Sequence, residues 1–272
     1  MGYRRPMLNT TKPVGEHLRE WRQRRRMSQL DLALDAEIST RHLSFLETGR
    51  SQPSREMVLN IAERLDIPLR DRNVILVSAG FAPVFPERRL DDPALAAARR
   101  AVDLVLKGHE PFPALAVDRH WNLIAANAAL TPLMTGVDPA LLVPPANVLR
   151  LSMHPDGLAS RVVNFNEWRA HLIARLVHQV GLTADAVLLA LMEELRAFPV
   201  PKGAERGGTL GHDYGGVVVP LRLRTDAGVL SLFSTTTVFG TPVDVTLSEL
   251  AIEAFYPADA ETARALRALA GP

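Results

Sequence analysis

The sequence predicts two domains of different class: an all-α domain of five short helices, then an α+β domain with a five-stranded antiparallel sheet. Three observations predict this. Before residue 81 apolar residues recur at three- and four-residue intervals, and Ser28, Ser39, Ser54 and Pro68 stand where helices would begin. After residue 107 short apolar runs bounded by turn residues flank two long helical patterns. A chain of 272 residues is also long enough to bury one core in each of two domains. The expected boundaries are 1–81 for the first domain, 82–106 for a linker and connecting helix, and 107–272 for the second.

In the first domain, Val14, Leu18 and Trp21 make the apolar stripe of a helix ending near Arg26. Ser28 is placed to cap a second helix, whose Leu32, Ala33 and Ala36 face inward. Glu37 and Ile38 make a turn, and Ser39 caps a third helix anchored by Leu43 and Leu46. Gly49 stands where a helix needs a residue of positive φ after its last turn. Ser54 caps a fourth helix with Val58, Ile61, Ala62 and Leu65 at core spacing, and a fifth runs from Pro68 to about Gly80.

Thr40, Arg41, Ser44 and Phe45 are left on the outer face of the third helix. Two short helices joined by a tight turn, with such side chains outward, form a helix-turn-helix that offers its second helix to the DNA major groove. Arg41 can donate two parallel bonds to guanine, Thr40 can meet a thymine methyl, and Phe45 offers apolar contact. Arg24, Arg25 and Arg26 read equally well as phosphate contacts or as an ordinary solvated charge run.

The run from Met27 to Ser54, followed by Met57–Pro68, resembles the phage-repressor or xenobiotic-response-element helix-turn-helix family over roughly residues 14–80. Ser-Gln, Leu-Ala, Ile-Ser, Leu-Glu-x-Gly-Arg and Pro-Ser all fall at the family spacing. The resemblance implies that Gln29 clamps a phosphate and that the start of the recognition helix reads bases. The DNA-binding set is then Gln29, Ser39, Thr40, Arg41, Ser44, Phe45 and Arg50, with Arg50 on the backbone. It also implies an ion pair between Arg22 and Glu47.

The second domain opens with Asp92-Pro93, an N-cap followed by an N1 proline, for a helix with Leu95, Val102, Val105 and Leu106 inward and Gly108 as its stop. Ala82–Pro86 reads as a linker. Ala114–Asp118 and Trp121–Asn127 form a hairpin around Arg119-His120, the second strand running into a short helix at Asn127. Leu158, Val162, Phe165, Trp168, Leu172, Leu176 and Val180 predict one long helix stopping at Gly181. Leu188, Leu191, Leu195 and Phe198 predict another, capped by Thr183. Strands return at Val217–Arg224, Val229–Phe239 and Leu247–Tyr256, and Asp259 caps a last helix with Ala263, Leu266 and Leu269 inward.

The strand pair leading to Asn127, Asn166-Glu167-Trp168, Phe239-Gly240-Thr241-Pro242, Leu247-x-x-Leu250 and Phe255-x-Pro257 together resemble the MmyB-type ligand-binding domain over roughly residues 107–271. The resemblance implies a PAS-like fold and a sensor for a small molecule, with a fatty acid or similar apolar compound as its guest and no other cofactor. From the residues themselves, Trp121, Phe165, Trp168, Phe233 and Phe239 can supply apolar walls, while Asn127 and Arg169 can orient a polar or anionic head. The same aromatics at helical spacing also suit a plain core.

Charge divides between the domains. Residues 1–89 carry 16 Lys and Arg against 11 Asp and Glu, and residues 90–272 carry 15 against 19. Only the first part has the basic excess expected of a region that meets phosphates. No apolar run is long enough to span a membrane, and the basic Met1–Pro6 lacks the apolar stretch of a secretory signal. The absence of cysteine excludes disulfides, thiol nucleophiles and Cys-ligated zinc, and suits a reducing cytoplasm. His171 and His178 share a helix face but stand about 10 Å apart along the axis, too far for one ion. Gly207–Gly216 follows no strand and opens no helix, so it reads as a loop covering the sheet and not as a phosphate loop. No nucleophile elbow or His-Glu-x-x-His pair is present, and no metal site is expected.

These readings combine into a cytoplasmic, non-enzymatic transcription regulator. It binds a double-stranded operator, as a homodimer because two half-sites are needed, and responds to a small apolar ligand. Two rivals remain: a regulator whose second domain docks a protein partner, and an enzyme whose helix-turn-helix is autoregulatory.

Overall fold

The computed structural model describes residues 12–202, 204, 218–240 and 244–270. The chain divides into two compact units, one of residues 1–88 with 241–248 and the other of residues 89–240 with 249–272. No helix among the described residues is long and apolar enough to cross a membrane.

The first unit holds α1 (Val14–Arg24), α2 (Gln29–Asp35), α3 (Thr40–Glu47), α4 (Arg55–Arg64) and α5 (Leu69–Ser78). Its starts are set by side chains. Ser28, Ser39 and Ser54 each accept a bond from the amide three residues on, and Ser28 with Asp31 completes a reciprocal capping box. Its ends share one device. The residue after each of α1 to α4's last turn takes positive φ, at Arg26, Glu37, Gly49 and Asp66, and the next amide bonds back into the helix. Only Gly49 does so without a Cβ penalty. The core is built from the predicted positions, with Leu18, Leu32, Leu43, Leu46, Ile61 and Leu65 fully buried. Gly15 is required by close approach, since a Cβ there would lie 2.3 Å from the Leu46 carbonyl oxygen.

Residues beyond α5 also belong to this unit. Asn73 donates to the Phe85 carbonyl at 2.7 Å and accepts from the Val84 and Phe85 amides, so much of the expected linker is bound in place. A late segment joins it. Asp244, 1% exposed, accepts from Arg88 at 2.9 Å, and the Val245 amide donates to the Pro86 carbonyl.

The second unit begins with α6 (Ala96–Gly108), then β1 (Ala114–Val117), β2 (Leu123–Ala126), α7 (Pro139–Leu142), α8 (Val148–Met153), α9 (Phe165–Thr183) and α10 (Ala186–Ala197). It continues with β3 (Leu221–Thr225) and β4 (Gly228–Val238). The short α11 (Val245–Ser248) lies in the other unit, and β5 (Ala251–Pro257) and α12 (Ala260–Leu269) complete this one. The five strands form a single sheet in the order β2-β1-β5-β4-β3, every neighbouring pair antiparallel. This is the PAS-like α+β arrangement. Alternation along the strands gives the sheet two faces. Ala114, Ala116 and Ile252 pack with Val102 and Leu106 of α6 on one. Leu115, Leu221, Leu223, Leu230 and Leu232 join the helical core on the other.

Several expected boundaries move, each for a local reason. The helix expected from Leu158 begins at Phe165, because Val162 bridges to Leu223 and Val163 bonds the Arg222 carbonyl, pinning that stretch to the edge strand. Gly181 lies inside α9, which runs on to Thr183 and ends at Ala184 with φ 53°. Asp185 therefore caps α10 in place of Thr183, accepting from the Val187 and Leu188 amides. Trp121 has φ 68° and sits in the hairpin turn, not in a strand. The expected strand at Leu247 starts at Ala251, since residues 245–248 are helical. Val105 and Leu269, expected inward, are 46% and 39% exposed. The Gly207–Gly216 loop, the strand start at Val217, and Thr241-Pro242 lie outside the described residues.

Candidate functional site

Two sites follow from this framework, one in each unit. In the first, α3 presents Arg41 to solvent, with Thr40, Ser44 and Phe45 partly exposed and Arg50 exposed beyond the helix end. Arg41 makes no hydrogen bond to the described residues, and its guanidinium lies 5.3 Å from the Phe45 ring centroid. Arg50 lies 5.9 Å from the same ring. Phe45 therefore holds two cations beside the helix through cation–π contact. Ser39 takes the N-cap, its hydroxyl accepting from the His42 amide at 3.1 Å.

Behind this surface, Glu47 receives both Nε and Nη2 of Arg22, at 2.6 and 2.8 Å. The pair implied by resemblance thus ties α1 to α3. The hydrogen bonds of Glu47 hold the Arg22 guanidinium above its ordinary pKa. Gln29 donates at 2.8 Å to Glu47 Oε2, the oxygen that also receives Arg22 Nη2, so the carboxylate of α3 orients it. Arg25 donates to the carbonyls of Leu65 and Asp66, at 2.7 and 2.6 Å, closing the C-terminal end of α4. Arg24 covers Trp21 at 4.5 Å. These two side chains are thus packed on the protein and not simply solvated.

In the second unit a cavity of about 110 Å³ lies between the sheet and the helices. The sheet supplies Leu115, Leu123, Leu221, Leu223, Leu232 and Phe255. The helices supply Leu149, Leu151, Trp168, Leu172 and Arg175. Two tryptophans are fixed by their polar ends: Trp121 donates to Gln179 at 2.9 Å and Trp168 to Ser152 at 2.8 Å.

Of the seven residues expected to touch a ligand, Trp121 and Trp168 line this cavity and five do not. Asn127 is spent on backbone, accepting from the Ala114 amide and donating to the Leu106 and Phe112 carbonyls. Phe165 is fully buried in the core beside the cavity. Arg169 donates to the Arg196 carbonyl. Phe233 alternates to the opposite face of the sheet, stacked on Tyr256 at 5.4 Å, and Phe239 packs with the α6 cluster.

Two residues that sequence reasoning passed over stand at the wall instead. Arg175 of α9 donates to Glu253 of β5 at 2.7 and 3.3 Å, with its guanidinium 4.7 Å from the Trp121 ring centroid. Their signal was present: Arg175 follows Trp168 and Leu172 on one helix face, and Glu253 stands at an inward position between Ala251 and Phe255. Nearby, His171 stacks on Trp168, and burial together with the Arg175 charge pushes its pKa below the ordinary value. Among the described residues no cluster of three or more ligating side chains could hold a metal ion.

Residues 98–269 match the family model for the MmyB-like transcription regulator ligand binding domain. Residues 18–71 match the helix-turn-helix model. Among curated proteins none matches the chain. One solved structure, described as an RNA-binding light-oxygen-voltage receptor, is similar at 14% identity over 99% of this chain and 70% of that one. Its TM-score of 0.26 is too low to say anything of fold or function.

Proposed function

This chain belongs to the MmyB-like transcription regulators, and from that premise we propose that its ligand is a small fatty-acid-like molecule that changes operator affinity. A helix-turn-helix and a ligand-binding domain in one chain make it a ligand-modulated regulator. The observation that carries the finer reading is the cavity, whose wall is almost wholly Leu, Trp, Met and Phe. Such a surface gains from an apolar chain, at roughly 25 cal/mol for each Å² removed from water.

The DNA end works through Thr40, Arg41, Ser44 and Phe45 on bases, with Gln29, Ser39 and Arg50 on the phosphate backbone. Two chains act together, setting their recognition helices one helical turn of DNA apart, about 34 Å. The ligand acts by population shift, preferring the domain arrangement in which that spacing is met or the one in which it is missed. The test is direct. Sequences bound by the full chain are selected from a random duplex pool, and their affinity is measured with and without dodecanoyl probes. A change of about tenfold, or about 1.4 kcal/mol, supports the reading. An unchanged affinity at saturating probe, or a stoichiometric protein partner that alone changes it, refutes the small-molecule reading.

A further inference from the structure

Among the described residues lining the cavity, only Arg175 and Glu253 carry charge, and their charges cancel. Arg175 Nη2 donates to Glu253 Oε1 at 2.7 Å and Nη1 to Oε2 at 3.3 Å. The Thr236 hydroxyl accepts from the same Nη2 at 2.9 Å and donates to Glu253. Glu253 is fixed in the middle of the sheet, opposite Leu115 on one side and Thr236 on the other. Its side chain is 5% exposed and that of Arg175 is 26% exposed, so the pair stands between the cavity and solvent.

What this pair leaves unspent defines the head group. Three of the guanidinium's five N–H donors are committed, which leaves two. The Ser234 hydroxyl also faces the cavity and has no partner among the described residues. Together they suit a carbonyl or hydroxyl oxygen. A carboxylate meets a different situation. It would bring a second anion to a cation already neutralised by Glu253, inside an apolar wall, where uncompensated charge is strongly disfavoured. No second cation lines the cavity among the described residues, and Asn127 and Arg169, the expected partners of an anionic head, are committed elsewhere. His171 adds no charge near neutral pH, because burial first, and then Arg175, lower its pKa.

We infer, building on the acyl-chain reading of the cavity, that the ligand is a long-chain compound with an uncharged hydrogen-bonding head, an amide, ester or alcohol. Glu253 is the residue that selects against the free carboxylate. The experiment uses the full chain, stripped of lipid, titrated calorimetrically at neutral pH with dodecanamide and with dodecanoate. The amide binds at least about tenfold more tightly than the carboxylate. In Glu253→Gln the released Arg175 charge raises dodecanoate affinity by about tenfold or more, with amide affinity nearly unchanged. Dodecanoate binding the unmodified protein as tightly as the amide overturns the inference, and this arm needs no variant to fold. Carboxylate preference leaves the acyl-chain reading standing, whereas failure of both probes to bind overturns the two together.

Discussion

Each unit contains an arginine paired with a buried glutamate, Glu47 in one and Glu253 in the other, and the two pairs do opposite things. Arg22 and Glu47 are closed in by burial: Nε and Nη2 go to the carboxylate, Nη1 goes to the Met27 carbonyl, and Gln29 donates to the same Oε2 as Nη2. Arg175 and Glu253 are open, with two donors unspent beside a cavity. A closed pair fixes the register of α1 against α3 and so holds still the face of α3 proposed to read DNA. An open pair keeps hydrogen-bonding capacity for a guest. The same chemistry serves position in one unit and selection in the other, and what decides is the surroundings: each guanidinium commits three donors, but Arg22 is packed in the core and Arg175 lines a cavity.

The largest expected effect breaks the closed pair. Glu47→Ala leaves Arg22 buried without its partner and costs about 3–5 kcal/mol. Hydrogen exchange of α1–α4 amides in the full chain reads this, and protection retained at its original level refutes the closed-pair account. Glu253→Gln sharpens the contrast. Arg175 keeps access to water, so the same measurement on β4 and β5 gives a loss less than half as large. Next comes Arg41→Ala, which removes about 1–3 kcal/mol from binding to the selected operator and leaves random DNA nearly unaffected. Equal losses on both DNAs would count against base readout, and Gln29→Ala is expected to give that uniform pattern. A smaller gain is expected from Glu37→Gly. Relieving a non-glycine positive φ stabilises the first unit by up to about 1 kcal/mol, read as a later urea midpoint.

The smallest effect is a pH dependence at the start of α2. The hydrogen bonds of the Ser28 side chain, then its amide, hold the Asp31 carboxyl below the usual carboxylate range. A depressed folded pKa means that the capping box stabilises fully above the unfolded value of about 3.9 and is lost as pH falls through the folded one. Exchange protection in α2 should therefore drop in acid before that in α4. Simultaneous loss in both helices would show that the box contributes nothing local.

The two units also differ in how much of them was legible in the sequence. The helical unit was readable nearly residue by residue, because caps, turns and inward positions act within a few residues of one another. Ser28, Ser39, Ser54 and Gly49 stand where their local chemistry places them. In the sheet unit the strands and their antiparallel sheet were readable, but the cavity wall was not. Whether an aromatic lines a cavity or fills a core depends on partners distant in sequence, as Phe165 and Phe233 illustrate. Arg175 and Glu253, 78 residues apart, meet only once α9 lies across β5. Asn127, expected to orient a ligand's head, is instead buried with its bonds on the backbone of β1 and α6.

The central claim is that occupancy of the cavity between sheet and helices governs DNA affinity. Fluorescence anisotropy of the selected operator duplex with the lipid-stripped full chain, titrated with dodecanamide, tests it most directly. The account predicts a shift in operator affinity of about tenfold or more that saturates with the probe. Leu172→Trp, which fills the cavity, should abolish the response to added probe. Saturating occupancy of the cavity with operator affinity unchanged would contradict it.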